Sequence, residues 1–203
     1  VESDAIVFIV AGNVQARRSL TARVKALGLP VKACHSAAEF CARGASAAGG
    51  CILLDVSQAA VDLELLERLG PREGRLPVVA ISEQADVATA VRAMKLGAAD
   101  FLEAQCLERR LAEAIEEALR WEAAHRRQIA LVERIRRRKA KLAPAYREVL
   151  DMVVAGKSNR QIADELELSV RAIEERRAKV MRTMRARSLA ELVRMAVTGE
   201  GSS

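Results

Sequence analysis

Ser158-Asn159-Arg160-Gln161-Ile162-Ala163-Asp164-Glu165-Leu166-Glu167-Leu168-Ser169-Val170-Arg171 is the stretch that decides the fold of the second half of this 203-residue chain. Ser and Asn accept hydrogen bonds from the free N–H groups that open a helix, so Ser158-Asn159 predicts a helix start and a short helix over 160–166. Glu167, Leu168 and Ser169 form a three-residue turn. Ser169 is a second cap and opens a longer helix over 170–184. A short helix, a tight turn and a longer basic helix form a helix-turn-helix pattern. On the longer helix Ile173, Val180 and Met184 share one face, with Arg176 beside them. Arg171, Glu174, Ala178 and Arg182 lie toward the other, flanked by Glu175, Arg177 and Lys179.

Outward from this stretch the helical pattern continues. Pro144 suits the first turn of a helix over 145–155, which carries Val149, Leu150 and Val153 and stops at Gly156. Ser188 caps a last helix over 189–197. Upstream, no Gly or Pro lies between Gly97 and Pro144, so one long helix is expected over about 107–139. Leu111, Ile115, Ala118, Glu122, His125, Ile129 and Val132 recur on it at heptad spacing, interrupted by Glu122 and His125. Two readings fit: the last helix of the first domain running into a solvated linker, or a dimer-forming connector.

The first half alternates short apolar runs with helical patterns. Strands are expected over 6–11, 31–34, 51–56, 77–82 and 99–102. Helices are expected over 15–27, 36–43, 62–69 and 86–96, with Gly28, Gly70-Pro71 and Gly97 as stops. Such alternation implies a five-stranded parallel sheet covered by helices on both faces.

Composition narrows the function. Residues 1–105 hold 11 Lys/Arg and 12 Asp/Glu, whereas 106–203 hold 22 Lys/Arg and 15 Asp/Glu. Positive charge confined to one region is the footprint of a polyanionic partner, although a solvated basic face would look the same. No apolar run reaches membrane length, so a cytoplasmic protein without membrane contact is expected. Cys34, Cys41, Cys51 and Cys106 lack paired spacing and are expected as small buried thiols. With His35 and His125 they build no metal site, and no nucleophile–base or phosphate-loop arrangement occurs. Neither a cofactor nor an enzyme activity is expected.

The strings Leu142-Ala143-Pro144, Arg147-Glu148-Val149-Leu150, Ala155-Gly156-Lys157-Ser158-Asn159-Arg160-Gln161-Ile162-Ala163, Leu168-Ser169, Ile173-Glu174 and Ala186-Arg187-Ser188-Leu189-Ala190-Glu191-Leu192 together resemble the LuxR-type helix-turn-helix domain. Arg92-Ala93-Met94-Lys95, Gly97-Ala98 and Asp100-Phe101-Leu102-Glu103 resemble the receiver of the NarL/FixJ response regulators. The resemblance implies a CheY-like (flavodoxin-like) α/β receiver over 1–120, a linker helix over 121–141, and an all-α four-helix domain over 142–203 that binds double-stranded DNA. Arg pairs with guanine edges and Glu accepts from cytosine. Arg171, Glu174, Glu175, Arg177, Lys179 and Arg182 are therefore candidates for the groove, Lys157, Arg160 and the backbone N–H groups at helix starts for phosphates, and Asn159 is a further DNA-binding candidate. The family has a hydrophobic residue and a His where this chain has Glu175 and Arg176, so its operator cannot be inferred from relatives.

The resemblance further implies an aspartyl phosphate chemistry whose parts are missing here. Asp55 stands at the acceptor position, Ser82 at the switch hydroxyl and Phe101 at the switch aromatic. The acidic pair that would hold Mg²⁺ reads Ala11-Gly12, with Asn13 next, and the lysine position reads Ala104. One carboxylate and one amide oxygen hold a hard dication poorly. Phosphotransfer is therefore expected to be lost or very weak, with Asp55 bonded to Ser82 or backbone donors. Rescue by Asn13 with another acid such as Asp62 is the rival reading.

The expected function is a sequence-specific DNA-binding transcription regulator not controlled by phosphorylation. Two alternatives stay open: a protein-interaction regulator with weak or no DNA binding, and a conventional phosphorylated response regulator. A homodimer is expected, through the face of the fourth helix, fifth strand and fifth helix that the family implies, or through Leu189, Leu192, Val193 and Ala196 of the last helix. Protein or small-ligand input to the receiver is left open.

Overall fold

A computed structural model describes residues 5–42, 49–57, 66, 76–83 and 86–200. They fall into two compact units divided between Arg127 and Gln128.

In the first unit the apolar runs are strands: β1 (Ile6–Val10), β2 (Val31–Cys34), β3 (Gly50–Asp55), β4 (Val78–Ser82) and β5 (Asp100–Glu103). All pair in parallel, in the order β2-β1-β3-β4-β5. Every residue of β3 and β4 is buried, which is why these segments read as continuous apolar runs. The helices are α1 (Val14–Ala26), α2 (Ala37–Ala42) and α3 (Val87–Lys95), followed by a 3-10 turn (Ala104–Cys106) and the long α4 (Leu107–Ala140). The sheet has a core on each face. Val7, Ile9, Leu53 and Val79 pack with α1 and with Leu111, Ile115 and Leu119 of α4. Phe8, Ile52, Leu54 and Ala80 pack with Phe40 and Ala93. The helix expected over 62–69 lies outside the described residues except Leu66, which is fully buried in the second core.

The Gly49-Gly50 pair ahead of β3 has a packing role. A Cβ on Gly50 would stand 1.9 Å from the Ile6 carbonyl oxygen, so any side chain there would push β1 and β3 apart. A Cβ on Gly49 would stand 2.5 Å from a carboxylate oxygen of Glu122. Glu122, which reads as a flaw in the heptad seam, is thus buried against the start of β3 and pairs with Arg126 at 3.3 Å.

In the second unit the predicted helices are α5 (Pro144–Val154), α6 (Asn159–Glu165), α7 (Val170–Met184) and α8 (Leu189–Glu200). Ser158 caps α6 reciprocally. Its hydroxyl accepts from the Gln161 N–H at 3.3 Å, and the Gln161 side chain accepts from the Ser158 N–H at 2.9 Å. Ser169 caps α7 through the Ala172 N–H at 3.2 Å. Glu167 makes the turn with φ 52°, a left-handed conformation that more often falls to Gly. Val149, Leu150, Ile162, Ile173, Val180 and Met184 form the core, with Ile135 from the end of α4.

The structure decides between two readings and corrects one expectation. Leu111, Ile115 and Ala118 of the heptad stripe are core of the first unit, as the reading of a last domain helix has it, and are not open to a second chain. Core stripes and coiled-coil seams share the same spacing, so the sequence could not separate them. Of the cysteines, Cys34 and Cys51 are buried, but Cys41 is exposed and Cys106 half-buried.

Candidate functional sites: the strand-end pocket and the exposed face of α7

The receiver-type residues gather at the C-terminal ends of the strands, where open parallel sheets build their sites. Ala11 follows β1 and is buried. Asp55 ends β3 and is 7% exposed, and Ser82 ends β4 at 2%. Ala104 opens the 3-10 turn after β5 and packs on the first core. Phe101 is half-buried against the second.

One oxygen of the Asp55 carboxylate is engaged by Ser57. Asp55 accepts from the Ser57 hydroxyl at 2.6 Å and the Ser57 N–H at 3.1 Å. The Ser57 oxygen accepts in turn from the Glu83 N–H at 3.2 Å. Of the partners the sequence suggests for Asp55, Ser82 or backbone donors, the described bonds give a backbone donor, the Ser57 N–H, joined by the Ser57 hydroxyl, because a serine two residues on closes a local turn. The Asn13 oxygen caps α1, accepting from the N–H groups of Gln15 at 2.8 Å and Ala16 at 3.2 Å. Asp62 lies outside the described residues. Sequence reasoning missed Arg17. Its guanidinium donates to the carbonyl of Ala11 at 2.6 Å and to that of Gly12 at 3.3 Å. Its place on α1, one turn past the vacated acidic pair, was the available signal. Among the described residues no group of three or more His, Cys, Asp or Glu could hold a metal ion.

The second site is built on α7. Ile173, Val180 and Met184 point into the core at 1% exposure or less, which turns the opposite face outward. There Arg171, Glu174, Glu175, Lys179 and Arg182 are exposed, as is Arg160 on α6. Arg171 pairs with Glu175 one turn on at 3.6 Å, an exposed pair of small energetic weight. Glu175, out of pattern for the family, therefore has a cation beside it. Arg177 is half-buried and donates to the Asn159 side-chain oxygen, tying α7 to the start of α6. Lys157 pairs with Glu165 across α6. On α8, Leu192 and Ala196 are each 2% exposed within the unit's own core. They are corrected from dimer candidates to core residues. Leu189 at 48% and half-buried Val193 remain outward, joined by Val197 at 57%.

Residues 7–116 match the response regulator receiver domain, and residues 141–196 match the luxR family of bacterial regulatory proteins. The transcriptional regulatory protein FixJ of Rhizobium meliloti is 37% identical over 198 residues, spanning 97% of each chain. FixJ of Bradyrhizobium diazoefficiens is 36% identical over 192 residues, spanning 94% of each. The chain belongs to the FixJ-type transcriptional response regulators. Among solved structures, the response regulator StyR superposes on this FixJ-type regulator with a TM-score of 0.81 at 28% identity, over 96% of this chain and 98% of that one. Full-length FixJ from B. japonicum gives 0.55 at 35% identity, over 97% and 98%. A FixJ-type regulator binds DNA through its luxR-family domain, here the unit that carries α7. No helix among the described residues is long and apolar enough to cross a membrane.

Proposed function

We propose that this FixJ-type regulator is a cytoplasmic, homodimeric, sequence-specific DNA-binding protein whose receiver works without aspartyl phosphorylation. In this reading residues 1–120 are a degenerate receiver, 121–141 a linker, and 142–203 the DNA-binding domain. The observation that carries it is Arg17. A fixed positive charge bonded to the carbonyls of Ala11 and Gly12 stands where an acidic pair would have to attract Mg²⁺. The oxygen of Asn13, the residue after Ala11-Gly12, caps α1. Ala104 supplies no ammonium for a phosphoryl group, so both charges that stabilise the transfer are missing. Asp55 is then a structural carboxylate that holds Ser57 and, through it, the turn after β4.

The DNA reading assigns Arg171, Glu174, Glu175, Arg177, Lys179 and Arg182 to the major groove, with Lys157, Asn159 and Arg160 toward phosphates. Dimer formation is supported by Val87, Val91 and Met94 on α3, exposed at 81%, 46% and 47%. Their spacing of four and three aligns them on one face, and an exposed apolar stripe favours association. A second patch is Leu189, Val193 and Val197. The receiver's input is then a protein or small ligand.

Incubation with acetyl phosphate and Mg²⁺, read by Phos-tag gel and intact mass, tests the reading. The expected result is no phosphorylated species. Stoichiometric labelling at Asp55 would overturn it.

A further inference from the structure

The end of α4 and the last turn of α7 flank an open cleft of about 740 Å³ within the second unit, and six of its nine lining residues are cations. Arg134, Arg137, Arg138 and Lys141 come from α4 and the turn after it, Arg182 and Arg185 from the end of α7. Its one acid, Glu133, is committed to Arg137 at 2.8 Å. Arg138 donates to the Met184 carbonyl at 3.0 Å and so closes the end of α7. Arg134, Lys141, Arg182 and Arg185 have no carboxylate within ion-pair distance among the described residues. The crowding is felt at Arg138, whose pKa is lowered first by burial and then by the charges of Arg185 and Arg134. Arg185 takes a left-handed backbone, φ 56° and ψ 40°, at the cap of α7, where a glycine would cost less.

A cluster of cations that outnumbers its counter-charges raises the energy of the free protein and lowers that of a complex with a polyanion. Continuity decides which polyanion. Arg182 belongs both to this cleft and to the exposed face of α7 that carries Arg171 and Glu174. We infer that the cleft receives the sugar-phosphate backbone of the same DNA duplex that α7 reads, flanking the bases and adding affinity without sequence preference. The inference rests on the assignment of α7 to the DNA groove. It gives Arg134, Arg137 and Arg138 at the end of α4 a place that counting charges by halves of the chain could not.

The test uses the full chain, a duplex carrying its selected site and a random duplex, with dissociation constants measured across a salt series. Arg134→Ala with Lys141→Ala removes two exposed cations whose side chains make no hydrogen bond or ion pair among the described residues, and leaves Arg138 on Met184. For every phosphate that is no longer neutralised, the slope of log K against log salt becomes shallower by about 0.9. The double variant is therefore expected to lose roughly 2 from the slope and to bind both duplexes weaker by a common factor, about tenfold or more at low salt. Arg18→Ala with Lys25→Ala removes the same charge from the receiver and is expected to keep the wild-type slope. An unchanged slope in the cleft variant overturns the inference, as does a weakening confined to the selected site. Wild-type protein that binds neither duplex would overturn the assignment of α7 itself, a failure distinguishable from that of the cleft alone.

Discussion

The Arg17 guanidinium lies 2.6 Å from the Ala11 carbonyl oxygen, and that bond anchors a permanent cation at the end of β1. A dication brought to about 4 Å of a unit positive charge is opposed by roughly 2 kcal/mol in bulk water and several times more near a protein surface. In an acidic-pair receiver two carboxylates would outweigh such a charge; Ala11-Gly12 has nothing to set against it. Restoring the chemistry should therefore need both changes. Arg17→Ala alone is expected to stay unlabelled by acetyl phosphate. Arg17→Ala combined with Ala11→Asp, Gly12→Asp and Ala104→Lys is expected to gain labelling at Asp55, read by mass spectrometry. Labelling of the single variant would show that Arg17 alone blocks the site.

On α7, Arg171→Ala and Arg177→Ala are each expected to weaken binding to the selected operator by about 1–3 kcal/mol, five- to hundredfold, with a smaller loss on random duplex. Because Arg177 also bonds Asn159, thermal unfolding must be measured beside the gel shift. Unchanged operator affinity in both folded variants would remove them from the reading surface.

Cys51 offers a pH prediction. Burial, and secondarily the charge of Glu122, raises its pKa from 9.0 to about 12. The unfolded thiol loses its proton near 9.0, whereas the folded one holds it until about 12. Over that window the unfolded state binds fewer protons, so stability falls as pH rises; below it the thiol has no effect. Urea titrations should show this loss in wild-type protein and a smaller loss in Cys51→Ala. At pH 8 iodoacetamide is expected to label exposed Cys41 and to spare Cys51. Equal pH dependence in the two proteins would contradict the assignment.

If the proposed dimer forms through either patch, Val193→Asp on α8 or Val91→Asp on α3 shifts it toward monomer in sedimentation analysis without unfolding the protein. Leu192→Asp, in contrast, buries a carboxylate among Val149, Ile162 and Ile173 and is expected to unfold the helical unit. A dimer unaffected by both surface variants would rule out both patches as its interface.

What was legible in the sequence followed from local physics. Strands β3 and β4 announce themselves because both faces are covered, and Ser158 and Ser169 mark helix starts because a hydroxyl serves orphan N–H groups there. The places of Asp55 and Ser82 at strand ends were legible because each closes a buried apolar run. What escaped depends on where distant segments meet. Glu122 looks like a defect in a seam until Gly49 is placed under it. Arg17 looks like any surface arginine until its reach to Ala11 is seen. Leu192 and Ala196 share a helix face with Leu189 by spacing, but only packing shows which of them the core takes.

The central claim is best tested by the affinity of the 203-residue chain for its selected operator, measured by fluorescence anisotropy before and after treatment with acetyl phosphate and Mg²⁺. The account predicts tight, salt-dependent binding that is the same in both states. Binding that emerges only after treatment, or no binding to duplex at low salt in either state, would contradict it.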